Sequence, residues 1–339
     1  MSDLLDIERP GELETYLRIT HRIAPADAIS IRPLVGGISN RTVLVQRSAG
    51  EPWVVKQALP KLRVAVDWFS DPVRIEREAI GMQWLGELAP PQTIPRFIFE
   101  DRQCHLVAME AVPEPSENWK AVLLAGRLDS ERVRQFARLL GTIHREAHRR
   151  RGELAPIFAN RDFFESLRLE PYYTFTAARV PAAAVFLDAL TRDTRQIGDT
   201  LVHGDYSPKN ILLHADRMVL LDHEVVHWGD PAFDLGFSMT HLLSKAHLLV
   251  DRRPAFADAA RCYWQAYLDA LGRVTWRKDL EPRVVRHALG CLLARVAGRS
   301  PLEYLDDARR TAQREAVAPL MQCPPSTVDD LIDQFLTRL

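Results

Sequence analysis

Cysteine is scarce: four residues in 339. Cys104, Cys262, Cys291 and Cys323 stand far apart and form no CxxC pair, which argues against a zinc knuckle and against a disulfide framework. Neither sign of charge is in surplus. Lys+Arg is 44 and Asp+Glu is 45, a net charge of −1, so a generic polyanion binder is disfavoured and no nucleic-acid partner is expected. A local basic pocket for a small anion stays open. No window approaches the roughly 18 apolar residues of a spanning helix, so no membrane role is expected. The first residues, MSDLLDIERP, are acidic and lack an apolar stretch of signal-peptide type, which makes a cytoplasmic location the expectation. Internal repeats and low-complexity tracts are also missing. What remains is an ordinary globular balance, 47% apolar and 26% charged, in a chain long enough for one large or two modest domains.

The first third reads as short strands broken by turn signals. ISIRPLV runs into Gly36-Gly37, RTVLVQRS into Ala49-Gly50-Glu51-Pro52, and WVVKQAL follows. One helix interrupts the pattern: Asp71 can cap it, Pro72 suits its first position, and Ile75, Ala79, Met82, Leu85 and Leu88 recur at helical spacing. FIFED and HLVAMEA then resume as strands. After Pro113 and Pro115 the character changes. Val133, Phe136, Ala137, Leu140 and Ile143 mark a long amphipathic helix, and further helices are expected near 160–168, 182–196, 232–248, 252–272, 281–297 and 302–319. The expected architecture is α+β and bilobal: a small β-rich N-lobe over 1–111, a hinge near 109–115, and a larger, mainly helical C-lobe over 112–339. Two lobes make a cleft, and clefts bind ligands.

The chemistry concentrates in His203-Gly204-Asp205-Tyr206-Ser207-Pro208-Lys209-Asn210 and, shortly after, Leu221-Asp222-His223-Glu224. Each sets carboxylates at the edge of an apolar strand, where an ionised group needs a cation or a hydrogen bond. Asn210, Asp222 and Glu224 are hard oxygen donors of the kind Mg²⁺ takes. Phosphoryl transfer uses one Asp to accept the substrate's hydroxyl proton, an Asn five residues on and a second Asp to hold metal; Asp205, Asn210 and Asp222 have that spacing.

With these motifs the chain resembles the aminoglycoside phosphotransferase and choline kinase superfamily, of protein-kinase-like fold, from about residue 30 to 300. HGDxxxxN followed by LDxE are that superfamily's central motifs. The resemblance implies ATP and Mg²⁺ as cofactors, with Asp205 as catalytic base and Asn210, Asp222 and Glu224 at the metal. It implies that Gly36, Gly37, Ser39 and Asn40 form a loop over the nucleotide phosphates. It also implies that backbone groups of Glu110, Ala111 and Val112 read the adenine edge. Lys56, ending the apolar run WVV on a third strand, takes the place of the phosphate-binding lysine. Its partner is Glu76 or Glu78; Glu78 falls on the apolar stripe with Ile75, Met82 and Leu85 and is preferred. His203 is expected to support Asp205 without titrating, Asp234 to tie down the catalytic loop, and Lys209 to be solvated.

His-Gly-Asp in place of His-Arg-Asp, and about a dozen residues between Asp222 and Asp234, leave no activation segment for a peptide. The expected partner is a small hydroxyl acceptor. KQALP at 56–60 and the stretch from Asp222 to Gly236 resemble methylthioribose kinases, whose catalytic loop typically reads HGDLHTGS where this chain has HGDYSPKN. A sugar-like or polyol acceptor is therefore favoured, with aminoglycoside-, choline- or homoserine-like acceptors as alternatives. Tyr172, Tyr173, Glu224, His227 and Trp228 are candidates to line its pocket. A nucleotide-binding regulatory module is the alternative of another class, disfavoured because Lys56, Glu78, Asp205, Asn210 and Asp222 are all present; nucleotidyl transfer is a third.

Overall fold

A computed structural model describes residues 5–34, 37–63 and 67–339. The fold is bilobal and protein-kinase-like. The N-lobe is one antiparallel sheet of β1 (Ile29–Pro33), β2 (Asn40–Arg47), β3 (Trp53–Ala58), β4 (Phe97–Asp101) and β5 (Leu106–Glu110), in the order β1-β2-β3-β5-β4. Helix α1 (Pro10–Ile19) covers one face, where Leu13 and Leu17 pack with Val43, Val45, Trp53, Val55 and Phe99. Helix α2 (Arg74–Leu88) covers the other, where Ile75, Ala79 and Met82 meet Ala58, Val107 and Met109. Because side chains alternate along a strand, Val55 faces α1 while Lys56 faces α2. That alternation aims Lys56 at Glu78. Helix α2 begins two residues later than its sequence suggests: Asp71 accepts from the Val73 amide at 2.9 Å and closes a turn ahead of the helix.

The C-lobe begins with β6 (Glu117–Asn118), α3 (Trp119–Leu124) and α4 (Ser130–Arg149), capped by Asp129, then α5 (Arg151–Ile157) and α6 (Asp162–Phe164). The helix expected to end near 168 does not end there. Residues Glu165–Thr174 form a π-helix that runs on into α7 (Phe175–Arg179), followed by α8 (Pro181–Gln196). Pro171 has no amide to give to the ordinary ladder, and a wider i→i+5 pattern accommodates it. Strand β7 (Thr200–Val202) pairs with β10 (His227–Gly229), and β8 (Ile211–His214) with β9 (Arg217–Leu220). Beneath them lie α9 (Pro231–Leu248), α10 (Arg253–Leu271), α11 (Leu280–Ala297), α12 (Asp307–Gln322) and α13 (Val328–Thr337). Gly236 lets α9 meet α11 backbone to backbone: a Cβ there would stand 2.6 Å from the Ala288 nitrogen. Among the described residues no helix is long and apolar enough to cross a membrane.

His227 belongs to this interior rather than to any pocket. Its ring stacks on Phe164 with centroids 4.0 Å apart, and its Nδ1 lies 3.0 Å from the Val225 carbonyl. Burial pulls its pKa down to about 4, against about 6.5 in an unfolded chain. Between these values the unfolded chain binds the proton and the native one does not. The stabilisation is therefore complete above about pH 6.5 and is lost as pH falls toward 4. Wild type should lose about 2 kcal/mol more than His227→Phe between pH 7.5 and pH 5, read from urea midpoints. Parallel losses would remove His227 as the source.

Candidate active site

The functional side chains come from five short pieces of chain around one cavity of about 990 Å³ between the lobes. From above, Lys56 Nζ lies 2.5 Å from Glu78 Oε1 and 3.0 Å from Asp222 Oδ1. Glu78 is fully buried on α2. Burial raises its pKa, with Asp222 and Glu224 adding repulsion that Lys56 opposes. Lys56 is also buried, yet Asp222 and Glu78 outweigh that effect and hold its ammonium charged. Glu76, the other glutamate in reach by sequence, points instead to Arg102 at 3.5 Å.

Asp222 stands two residues past β9, at φ 69°, a left-handed conformation that Asp tolerates better than most residues. Its pKa is lowered: burial opposes ionisation, but Lys56 and Lys209 prevail. Oxygens of Glu78, Asp222 and Glu224 lie within 4.8 Å of one another. Three carboxylates this close need cationic charge; Lys56 meets Glu78 and Asp222, and Arg74 meets Glu224. Asp222 and Glu224 share the cavity wall with Asn210, and hard, crowded oxygens of this kind fit a divalent cation such as Mg²⁺.

Asp205 follows β7 through His203 and Gly204, the latter at φ 78° with the Val225 carbonyl 3.0 Å from where a Cβ would sit. Asp234 holds this turn. Its Oδ2 accepts from the His203 amide at 2.7 Å and its Oδ1 from the Gly204 amide at 2.8 Å. His144 meets the same carboxylate at 3.3 Å. The capping of α9 falls to Asp230, which accepts from the Ala232 amide. His203 is buried with its pKa lowered by desolvation, and its Nδ1 accepts from the Asp205 amide at 3.2 Å.

The Asp205 carboxylate itself is surrounded by donors. Asn210 Nδ2 lies 2.7 Å away, Arg168 3.0 Å and Lys209 3.4 Å. Burial works against its charge, but Arg168 and Lys209 outweigh it and hold the pKa below the ordinary carboxylate value. Asp205 is thus an ionised acceptor at the cavity wall. Lys209 is half-exposed yet turned toward this carboxylate, where it was expected to be merely solvated.

Of the residues expected to form a loop over the nucleotide phosphates, Gly36 lies outside the described residues, while Gly37, Ser39 and Asn40 line the cavity. Asn40 Nδ2 donates to Glu224 Oε2 at 3.2 Å, joining that loop to the C-lobe. Glu110, Ala111 and Val112 line the opposite end. The Glu110 and Ala111 amides already serve Arg96 and Pro52 carbonyls, both at 2.9 Å, which leaves Val112 as the amide of the three open to a base edge.

Two arginines escaped the sequence reading. Arg74 is fully buried on α2, bonded to Glu224 at 3.1 Å and to the carbonyls of Ser39 and Leu59. Arg168 rises from the π-helix and also donates to the Gly204 carbonyl at 2.7 Å. Both partnerships span more than thirty residues, and no local pattern marks them. Conversely, Tyr173 and Trp228 do not line the cavity: Tyr173 is buried against His287 at 2.8 Å, and Trp228 donates to the Gly198 carbonyl at 2.9 Å. An aromatic side chain reads the same in sequence whether it faces a core or a pocket. Tyr172 and Glu224 do line it.

Comparison with known proteins agrees with this geometry. Residues 30–282 match the model of the phosphotransferase enzyme family, APH. The methylthioribose kinase of Exiguobacterium sibiricum is 23% identical over 329 residues, covering 86% of this chain and 82% of that protein. That of Geobacillus kaustophilus is 24% identical over 326 residues, covering 81% of each. Among solved structures, a choline kinase of Cryptosporidium parvum shares the fold at a TM-score of 0.58 and 10% identity, covering 95% of this chain and 99% of that one. A family match over three quarters of the chain, on a kinase-like fold, means that this protein belongs to the phosphotransferase enzyme family.

Proposed function

We propose that this kinase moves the γ-phosphoryl group of ATP to a hydroxyl of a small sugar-like or polyol metabolite. Family membership makes the chain an ATP-dependent small-molecule kinase. The observation that carries the finer reading is the ionised Asp205 sharing one cavity with Lys56 and Asp222. The two relatives named methylthioribose kinase, and the resemblance of the KQALP segment to that family, support a sugar-like acceptor.

In this reading residues 1–111 hold the nucleotide and 112–339 carry the catalytic groups and the acceptor. Lys56, fixed by Glu78, contacts the α- and β-phosphates, and the loop with Gly36, Gly37, Ser39 and Asn40 covers them. Val112, with Glu110 and Ala111 beside it, borders the base. Asn210, Asp222 and Glu224 would hold Mg²⁺, which neutralises phosphate charge. Asp205 orients the acceptor hydroxyl by accepting its hydrogen bond. As the acceptor oxygen bonds to the γ-phosphorus and the bond to the β-phosphate oxygen breaks, the hydroxyl proton passes to Asp205. Arg168 and Lys209 make Asp205 a weak base, which suits a proton moving late, after bonding to phosphorus has begun to acidify the hydroxyl.

The test is magnesium-dependent ADP release across pentoses, polyols, methylthioribose, aminoglycosides, choline and homoserine, with ³¹P NMR of the product. A phosphomonoester formed in step with ADP is the expected result. A phosphodiester product, or ATP binding with no acceptor-dependent ADP, would overturn it.

A further inference from the structure

The acceptor end of the cavity carries more positive charge than phosphoryl transfer uses. Arg168 and Lys209 are balanced by Asp205, and Lys120 is paired with Glu303. Two buried basic side chains remain with no carboxylate in direct contact among the described residues, and the one carboxylate near both, Glu303, is already bonded to Lys120. Arg295 of α11 is 9% exposed and lines the cavity. One of its terminal nitrogens bonds the Ser300 carbonyl, the Ser300 hydroxyl at 2.9 Å and the Tyr172 hydroxyl at 3.3 Å, while its Nε has no partner. Lys245 of α9 is fully buried behind this wall. Its ammonium donates to the His241 carbonyl at 3.1 Å and sits 5.3 Å from the centre of the Tyr304 ring. Burial, with Lys120 and Arg295 close by, pulls its pKa down to about 7 although Glu303 acts the other way. His241 lines the same wall, 5% exposed, with its Nε2 unpartnered.

A buried cation without a counter-charge is unfavourable by several kcal/mol, and buried unpaired donors add to that. Bundles of helices remove such groups unless something compensates them. An occupant of the cavity can do so, because Arg295, His241 and Lys120 reach the space that Asp205 borders. We infer that the acceptor bears an oxyanion, a carboxylate or a phosphate, in addition to the hydroxyl that receives the γ-phosphoryl group, and that Arg295, His241 and Lys120 bind it. Lys245 adds its field from behind. An amine-bearing acceptor in the same place would meet like charge, which disfavours the aminoglycoside- and choline-like alternatives. This inference rests on the phosphotransferase reading and narrows its acceptor class.

The experiment uses a set built on one six-carbon polyol skeleton that differs in the terminal group and its charge: glucitol, gluconate, glucitol 6-phosphate and glucamine. Each is titrated by calorimetry into the full chain saturated with magnesium and AMP-PNP, so that anions cannot answer from the nucleotide site. Gluconate or glucitol 6-phosphate should bind at least ~10-fold more tightly than glucitol, the scale of one charge-assisted contact, and glucamine more weakly still. Whichever anion binds more tightly names the source of the oxyanion. Arg295→Gln should reduce the preference to less than about threefold. Lys120→Gln, at a partly exposed position, should reduce it as well. Equal or tighter binding of glucitol or glucamine overturns the inference, as does binding of neither anion, or a preference that survives both substitutions. Failure of AMP-PNP to bind would instead overturn the phosphotransferase reading.

Discussion

Asp205→Asn should still bind AMP-PNP within about threefold of wild type while losing at least ~10²-fold in kcat, the usual contribution of a positioned general base. The substitution keeps the size of the side chain and its contact with Asn210. What it removes is the charge that can take the hydroxyl proton, and the counter-charge to Arg168 and Lys209. The unpaired guanidinium lowers stability, so the comparison needs a parallel urea midpoint. Because Lys56 and Asp222 lie across the cavity with their own bonds intact, nucleotide affinity separates a local chemical loss from a general one. Turnover within tenfold of wild type would take the base assignment away from Asp205.

Asp222→Asn should be more severe, a fall of roughly 10³-fold in turnover at low magnesium with partial recovery as magnesium is raised. Asparagine adopts left-handed backbone at least as readily as aspartate, so φ 69° is retained without new strain. Lys56 also keeps Glu78 as its partner. The specific loss is one anionic oxygen from the crowded set with Glu78 and Glu224. The measurement is the magnesium concentration at half-maximal rate. An unchanged value would remove Asp222 from the metal. Chelation by EDTA should silence wild type and variant alike.

The motifs were legible where chemistry is local in the chain. HGDxxxxN brings Asp205 and Asn210 together through one turn and a single 3-10 helix, so their spacing alone forecasts contact. Strand alternation at Lys56 and the helical stripe through Glu78 likewise carry enough information to pair two residues from separate elements. Supporting contacts were illegible because they are set by docking. Arg74 reaches forward 150 residues to Glu224, whereas the hold of Asp234 on the His203 and Gly204 amides was expected only through the family resemblance. The π-helix at Glu165–Thr174 hid Arg168 in the same way, since Pro171 reads as a helix breaker until the wider ladder is seen. The acceptor pocket was the least legible part. Its wall is drawn from α9, α11 and the 300–303 segment, pieces that share no motif.

The contact at Gly236 has a mechanical consequence. Helices α9 and α11 touch through backbone there and are tied again by Thr240, whose hydroxyl reaches the Ala288 carbonyl at 3.3 Å. The pair therefore behaves as one rigid plate. Asp234 bolts the Asp205 turn to it, and His241 and Arg295 rise from it into the cavity that Asp205 also lines. Lys56 and Glu78 belong to a different plate. Lys56, Asn40 and Arg74 tie the N-lobe to Asp222 and Glu224, while the Asp205 turn is held from the α9 side. The placement of Asp205 relative to His241 and Arg295 is thus set within one lobe, by contacts that no N-lobe residue shares.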